Sequence, residues 1–488
     1  INPEVQSVAA GLISGRLWLS YSISPRSPAN PFLPEKMNLP RPALILALLA
    51  CSVAAAPAQA IKFDFGSGSA PAGWTRVTPD MTYTEDRGFG FETVPGVNLP
   101  TAFNAGGDPL KGDGVESNSP FFFTFKVPAE GNWRVTVTLG GDPSAASLTT
   151  VNAEIRRLMV LHAGTKAGET KTVSFIVNTR TPKIPDGTVV RLKPRETQGE
   201  AIAWDDKIQL EFNDAHPAIT SLTAERADNI PTVYLIGDST MTDQPGMPTT
   251  SWGQFLPIFF KNTVAIANHG ESGEAYSAFR GERRWPKILS IIKPGDWVIA
   301  QFGHNDEKER ERGPTFGAFK NSATEQRNYT AEARAKGAHI ILVTPMQRHE
   351  FADGKVKNTH DDYPDAVRAV AKELDVPLID LTAMSDTMMN VMGEKQSWLL
   401  FSRGQDTTHH SPYGAWELAK CIAQGIRDAK VEPAKWLADD FPGFDPAKPD
   451  PIESFTVPES PRRSGPPGAG ARGGRGGPGG RGAGAPAG

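Results

Sequence analysis

The sequence predicts two folded units. The first is an all-β sandwich or jelly roll over residues 61–216, and the second is an α/β domain with a doubly wound parallel sheet over residues 232–440. Three observations predict this. Residues before about 216 carry short β-branched and aromatic runs separated by Gly, Pro, Asp and Asn. From Thr232 onward, strand-like runs alternate with helical patterns. A chain of 488 residues exceeds one typical domain.

The N-terminus is set apart from both units. Residues 1–36 show no clear periodicity and contain no methionine, so they read as upstream sequence translated before a natural start at Met37. Residues 37–60 then read as a secretory signal peptide. Arg41 gives a positive start, an apolar run follows, and Ala58-Gln59-Ala60 is a small-x-small cleavage site. This predicts a secreted or periplasmic protein. Leu48-Leu49-Ala50-Cys51 also fits a lipoprotein box, and lipidation at Cys51 is the one route to a membrane partner. After cleavage only Cys421 remains, which excludes an intrachain disulfide and a cysteine metal cluster. Its surroundings, WELAKCIAQGI, read as an apolar helix face and hence a core thiol. The net charge of −4 argues against nucleic acid as a partner.

In the first unit FFFTFKV, WRVTVTLGG, KTVSFIVNT, VVRLK and IQLEF read as strands. AEIRRLMVL is ambiguous between helix and strand. Trp74, Trp133 and Trp204 can stack on sugar rings, which would make this a glycan-binding domain, but such tryptophans more often sit in a core. A connector is expected at 217–231. The second unit pairs TVYLIGD, TVAIANHG, DWVIAQFGHND, AHIILVTPM and VPLIDL with intervening helices. Ser411 and Pro412 form an N-cap and first-turn proline for the last helix. The tail over 441–488 is Pro-, Gly- and Arg-rich and is expected to be disordered.

In doubly wound folds, ligands bind outside the carboxyl ends of the strands. Four polar clusters fall there: Asp238-Ser239, Asn268-His269-Gly270-Glu271-Ser272-Gly273, Gly303-His304-Asn305-Asp306, and Asp406-Thr407-Thr408-His409-His410. Each is weak alone, and their joint placement carries the signal. Acyl transfer needs a nucleophile, a base, a group orienting the base and donors for an oxyanion. Ser239 at a strand-to-helix elbow suits the first role, His409 the second and Asp406 the third. Donors are available from the Ser239 N–H, the Gly273 N–H and the Asn305 amide.

TVYLIGDST, NHGESG, FGHND and DTTHHSPYGA resemble the four blocks of the SGNH (GDSL-type) hydrolases, and more narrowly the rhamnogalacturonan acetylesterase group. The resemblance spans about 232–430. Residues 61–215 resemble the galactose-binding-like β-domain that precedes the catalytic domain in many bacterial members. The resemblance implies a flavodoxin-like sheet order and a metal-free esterase acting on acetylated pectic rhamnogalacturonan. It also implies Ser239 as nucleophile, Asp406 and His409 as acid and base, and Gly273 and Asn305 in the oxyanion hole. One departure stands out. Many relatives continue the second block with Gly-Arg-Ser, whereas this chain has Gly273-Glu274-Ala275. An acidic Glu274 on the rim would disfavour a galacturonate carboxylate.

Other readings compete. An acetylxylan, other polysaccharide or lipid esterase of the same fold is one. A metallophosphoesterase would use Asp238, His304, Asn305 and His409 as ligands, but its usual Asn-His-Asp order is absent here. A non-catalytic glycan-binding protein is opposed by the complete residue set. Asp238 is expected to brace the elbow, and His410 to be a rim residue. His304 is expected to face either substrate or sheet. His349, Glu350 and His360 belong to a loop that shapes the pocket or is simply solvated.

Overall fold

The computed structural model describes residues 60–461. The readings of residues 1–59, and of the Arg- and Gly-rich stretch after 461, lie outside the described residues.

The β-domain is a sandwich of two sheets. The larger runs Thr170–Thr179, Gly131–Gly140, Ala218–Arg226, Ile61–Phe65 and Thr75–Val77, with Asp113–Glu116 and Thr101–Asn104 attached to the third strand. The smaller runs Phe89–Phe91, Phe121–Lys126, Lys207–Asn213, Ser147–Ala153 and Arg157–Thr165. Alternate residues such as Phe121, Phe123 and Phe125, or Ile208, Leu210 and Phe212, point into one shared core. Burying each such side chain stabilises the fold by roughly 1.5–3 kcal/mol. Trp133 belongs to this core, and Trp204 is buried in a smaller cluster.

Three sequence expectations need correction. VVRLK, read as a strand, is irregular: Val189 makes only an isolated bridge to Lys183, and Val190 and Leu192 are apolar because they pack into a small side cluster, not a sheet. Ala218–Arg226 lies in the stretch assigned to a connector, yet it is an inner strand, paired with Gly131–Gly140 and Ile61–Phe65. Its register shifts between Ile219 and Ser221, and that bulge breaks the alternation that marks a strand. The start of the tail is also ordered. Phe441 is buried, and Phe444, Ile452, Phe455 and Val457 pack on the α/β core. The chain then crosses to the sandwich, where Asn213 Nδ2 donates to the Glu459 carbonyl at 2.7 Å and Ser460 Oγ to Glu211 at 2.7 Å. The apolar anchors are spaced too widely to register as an element. The ambiguous AEIRRLMVL resolves into a turn, with Glu154 and Arg156 at positive φ, followed by the edge strand Arg157–Thr165.

The α/β domain holds five parallel strands: β1 (Thr232–Gly237), β2 (Ala265–Asn268), β3 (Trp297–Gln301), β4 (His339–Val343) and β5 (Leu378–Ile379). Their order is 2-1-3-4-5, the flavodoxin-like arrangement. Every residue of β1 is buried because helices cover both faces, which is why TVYLIG lacks alternation. On one face Val233 and Leu235 pack with the helix Pro412–Asp428 and the helix Leu381–Ser397. On the other, Tyr234 and Ile236 pack with Arg284–Ile291, Ala323–Ala335 and Tyr363–Leu374. Cys421 is buried in the first of these layers, as expected for a core thiol.

Buried polar bonds join the two domains, which lie in one compact unit. Asn132 Nδ2 donates to Thr232 Oγ1 at 2.8 Å, and Arg180 to the Asn268 carbonyl at 2.6 Å. Gln254 Nε2 donates to the Ile155 carbonyl at 3.0 Å. Arg157 pairs with Asp243 at 2.7 Å, and both side chains are almost fully buried. Removing one member of such a pair strands the other charge, at a cost of about 3–5 kcal/mol. Arg157→Met is therefore expected to lower unfolding stability by that amount in urea titration. A change below about 1 kcal/mol would mean that Asp243 is satisfied without it.

Candidate active site

The strand order reverses between β1 and β3, and the crevice above that point is where this topology places ligands. β1 and β3 run close together there. A Cβ on Gly237 would overlap the Gln301 carbonyl oxygen, so only glycine lets the chain leave β1 at this point. The next two residues divide their tasks. Asp238 is fully buried, and its Oδ1 accepts hydrogen bonds from Thr240 N at 2.9 Å and Thr240 Oγ1 at 2.7 Å. It braces the elbow, as the sequence suggested. Ser239 is half-buried at the rim, and its carbonyl accepts from Gln244 Nε2 at 2.7 Å.

His409 Nε2 lies 2.8 Å from Ser239 Oγ. Its other ring nitrogen, Nδ1, lies 2.9 Å from Asp406 Oδ2. Asp406 Oδ1 also accepts from the backbone N–H groups of Thr408 and His409, each at 2.9 Å. Burial acts to raise the Asp406 carboxyl, but these N–H groups and the imidazole outweigh it and hold it below the ordinary carboxylate range. An ionised carboxylate on Nδ1 leaves the Nε2 lone pair facing the serine hydroxyl. That arrangement can remove a proton from Oγ as it attacks a carbonyl carbon.

Gly273 and Asn305 sit on the loops after β2 and β3, which flank the elbow. Gly273 is exposed, with φ +83°, a left-handed conformation that favours glycine. Asn305 Nδ2 donates to the Glu274 carbonyl at 3.1 Å, and the amide carries a second N–H. Its Oδ1 accepts from Lys308 Nζ at 2.9 Å. Glu274 is not the rim anion expected from sequence. It is fully buried, ion-paired with Lys193 and 3.7 Å from Arg284 Nε. Burial pushes its carboxyl up to about 7, against the pull of Arg284 and Lys193.

Four further histidines near the site, His304, His410, His360 and His349, have structural surroundings. His304 is buried with Nδ1 3.5 Å from Asp238, and burial pushes it down to about 4. His410, expected on the rim, is buried beside Phe401, and burial pushes it down to about 3. His360 is buried as well, bonded to Glu307 Oε2 at 3.0 Å and the Met346 carbonyl at 2.8 Å. It thereby ties the loop after β4 to the loop after β3. The His349 ring stacks on Trp398, and the backbone N–H of His349 donates to the Thr407 carbonyl at 2.8 Å, supporting the Asp406–His409 turn. Sequence reasoning placed Asp306 at the rim without giving it a role; its buried carboxyl accepts from Gly303 N at 3.1 Å and Tyr276 N at 3.2 Å. It missed Lys193 and Arg195, which reach this site from the β-domain. Among the described residues, Glu116, Asp142 and His216 form a group close enough to share a metal ion, and they lie in the sandwich.

The chain matches the GDSL-like Lipase/Acylhydrolase family over residues 235–416. It matches the Beta-agarase/YXIM esterase-like, galactose-binding domain-like family over residues 61–176. It is 38% identical over 211 residues to the rhamnogalacturonan acetylesterase RhgT of Bacillus subtilis, spanning 40% of this chain and 89% of that one. The uncharacterized esterase YxiM of Bacillus subtilis is 28% identical over 387 residues, spanning 77% of this chain and 93% of that one. The crystal structure of the YxiM protein shares 26% identity over 76% of this chain and 99% of that one, with a TM-score of 0.41. Fold and relatives together define a carboxylic ester hydrolase. Within that class the chain belongs to the GDSL-like lipase/acylhydrolase family, with a galactose-binding-like domain ahead of its catalytic domain.

Burial pushes the Asp306 carboxyl up to about 8, from an ordinary value of 3.8. The unfolded chain releases this proton near pH 4, whereas the folded protein keeps it to about pH 8. Between those values the folded state binds more protons, so this group's contribution to stability falls as pH rises. Asp306→Asn is expected to show a smaller drop in melting temperature from pH 5 to pH 8 than the parent protein. An equal drop in both would sink the assignment.

Proposed function

We propose that this protein is a secreted carbohydrate O-acetyl esterase that removes acetyl groups from pectic rhamnogalacturonan. The observation that carries the chemistry is the chain of contacts from Ser239 Oγ to His409 Nε2 at 2.8 Å and from His409 Nδ1 to Asp406 at 2.9 Å. Ser239 attacks the acetyl carbonyl while His409 takes its proton. The N–H groups of Ser239 and Gly273 and the Asn305 amide receive the developing oxyanion. His409 then gives the proton to the departing sugar oxygen, which leaves as a hydroxyl, and water releases acetate from Ser239 by the same steps. The substrate class is supported by the relative named rhamnogalacturonan acetylesterase. Glu274 does not oppose it, because its charge is buried and paired. The galactose-binding-like domain supports a glycan ligand.

Ser239→Ala is expected to lower acetate release by about a thousandfold or more, and Asp406→Asn by a comparable factor through loss of the correct tautomer. EDTA is expected to leave the parent enzyme unaffected. Full activity in Ser239→Ala, or loss on chelation alone, would overturn the mechanism. Acetate release from acetylated rhamnogalacturonan is expected to exceed that from acetylxylan, and the reverse order would overturn the substrate. For export, the chain expressed from Met37 in a bacterial host is expected outside the cytoplasm with a new N-terminus at Ile61. An unprocessed cytoplasmic product would contradict that reading, and a membrane-bound one processed at Cys51 would replace it with a lipid anchor.

A further inference from the structure

The peptide group that supplies the Gly273 N–H also contains the Ser272 carbonyl, and residues of the β-domain grip that carbonyl. Lys193 Nζ donates to Ser272 O at 2.6 Å, and so does Arg195 Nη2 at 2.6 Å. Both residues lie between the sandwich strands Thr170–Thr179 and Lys207–Asn213. Lys193 also ion-pairs with Glu274 and Arg195 with Glu271, so the two cations clamp the loop on both sides of Gly273.

The clamp is itself held rigidly. Lys193 N donates to Glu196 Oε2 at 2.8 Å, and Trp204 Nε1 to Glu196 Oε1 at 2.8 Å. Arg284 of the catalytic domain grips both oxygens of Glu196, at 2.9 and 2.5 Å, with both side chains buried. The Glu274 carbonyl, on the far side of Gly273, accepts from Asn305.

In a planar trans peptide the N–H points opposite to the C=O. Fixing Ser272 O therefore fixes the direction of the Gly273 N–H. The need is real, because a glycine at φ +83° lets the preceding peptide turn over at little cost, which would aim a carbonyl where a donor is required. Two cations on the carbonyl also polarise the N–H and strengthen it as a donor.

We propose that Lys193 and Arg195 are positioning residues that hold the Gly273 N–H toward the oxyanion through the Ser272 carbonyl, so that the β-domain forms part of the active site. This rests on Ser239 being the nucleophile with Gly273 in its oxyanion hole.

The test uses the full chain and 4-nitrophenyl acetate, a substrate too small to need a glycan-binding domain. Lys193→Met paired with Glu274→Gln removes both members of an ion pair and leaves no unpaired buried charge. Arg195→Gln, at a partly exposed position, is a second and milder variant. The paired variant is expected to lose roughly ten- to a hundredfold in kcat with KM within about twofold of the parent. Arg195→Gln should lose severalfold in kcat, and Lys193→Arg should recover most of the activity. Parental kcat in the paired variant and in Arg195→Gln, with folding verified by circular dichroism, would overturn the proposal. So would a loss carried by KM, which marks a substrate contact, or a loss that Lys193→Arg does not recover, which marks structural damage. Should the paired variant fail to fold, Arg195→Gln and Lys193→Arg decide alone. Ser239→Ala is assayed alongside, and activity there would refute the underlying nucleophile assignment instead.

Discussion

The hydrogen bond between His409 and Ser239 spans 170 positions of the chain, and the rest of the catalytic domain is organised around keeping it at 2.8 Å. Each end is fixed independently. Ser239 is placed by the close approach of Gly237 to β3, by the Asp238 brace and by Gln244 on its carbonyl. His409 is placed by Asp406, and by Ser402 N donating to its carbonyl at 2.8 Å. Thr250 N, donating to the His410 carbonyl at 3.0 Å, ties the chain that follows the elbow to the residue after His409. The helix Pro412–Asp428 begins immediately afterward, with Ser411 Oγ capping Gly414 N at 3.1 Å. A buried helix with a fixed cap gives the preceding turn a fixed origin. A hydrogen bond between two loops must offset the entropy of ordering them, and other contacts that already fix both loops reduce that cost.

Much of this was legible in the sequence because a parallel sheet covered on both faces writes itself in unbroken apolar runs. TVYLIG and WVIAQ are all buried, and each stops where polar residues meet the rim. The four clusters at those stops needed only the topology to bring them together. The misreadings share a different cause. Ala218–Arg226 is a strand whose bulge hides its period. The segment after Phe441 docks through isolated aromatic side chains, with no period to detect. His410 follows His409 directly in sequence, but adjacent residues in a turn point in different directions, and His410 packs inward against Phe401. Glu274 was placed on the rim because it is charged. Whether a carboxylate is buried depends on whether cations surround it, and here one of them, Lys193, lies 81 positions away.

The burial of Glu274 also bears on what the two domains are to each other. A fully buried carboxylate is tolerated only with partners. One neighbour, Lys193, belongs to the β-domain. The other, Arg284, is on the catalytic domain but spends its two terminal nitrogens on Glu196 of the β-domain. Both cations near Glu274 are thus tied to the sandwich. Buried ion pairs contribute little net stability compared with apolar packing of the same volume. A network of them between two domains is therefore poorly explained as glue, and its directional bonds instead specify one relative placement of the groups they touch. The groups touched here are the Ser272 and Glu274 carbonyls, on either side of Gly273. A sandwich tethered only to capture glycan would need freedom to swing. This one is bonded through Asn132 and Arg180 to the sheet, through Arg157 to Asp243 and through Lys193 to the loop before Gly273, so its placement against the candidate site is fixed.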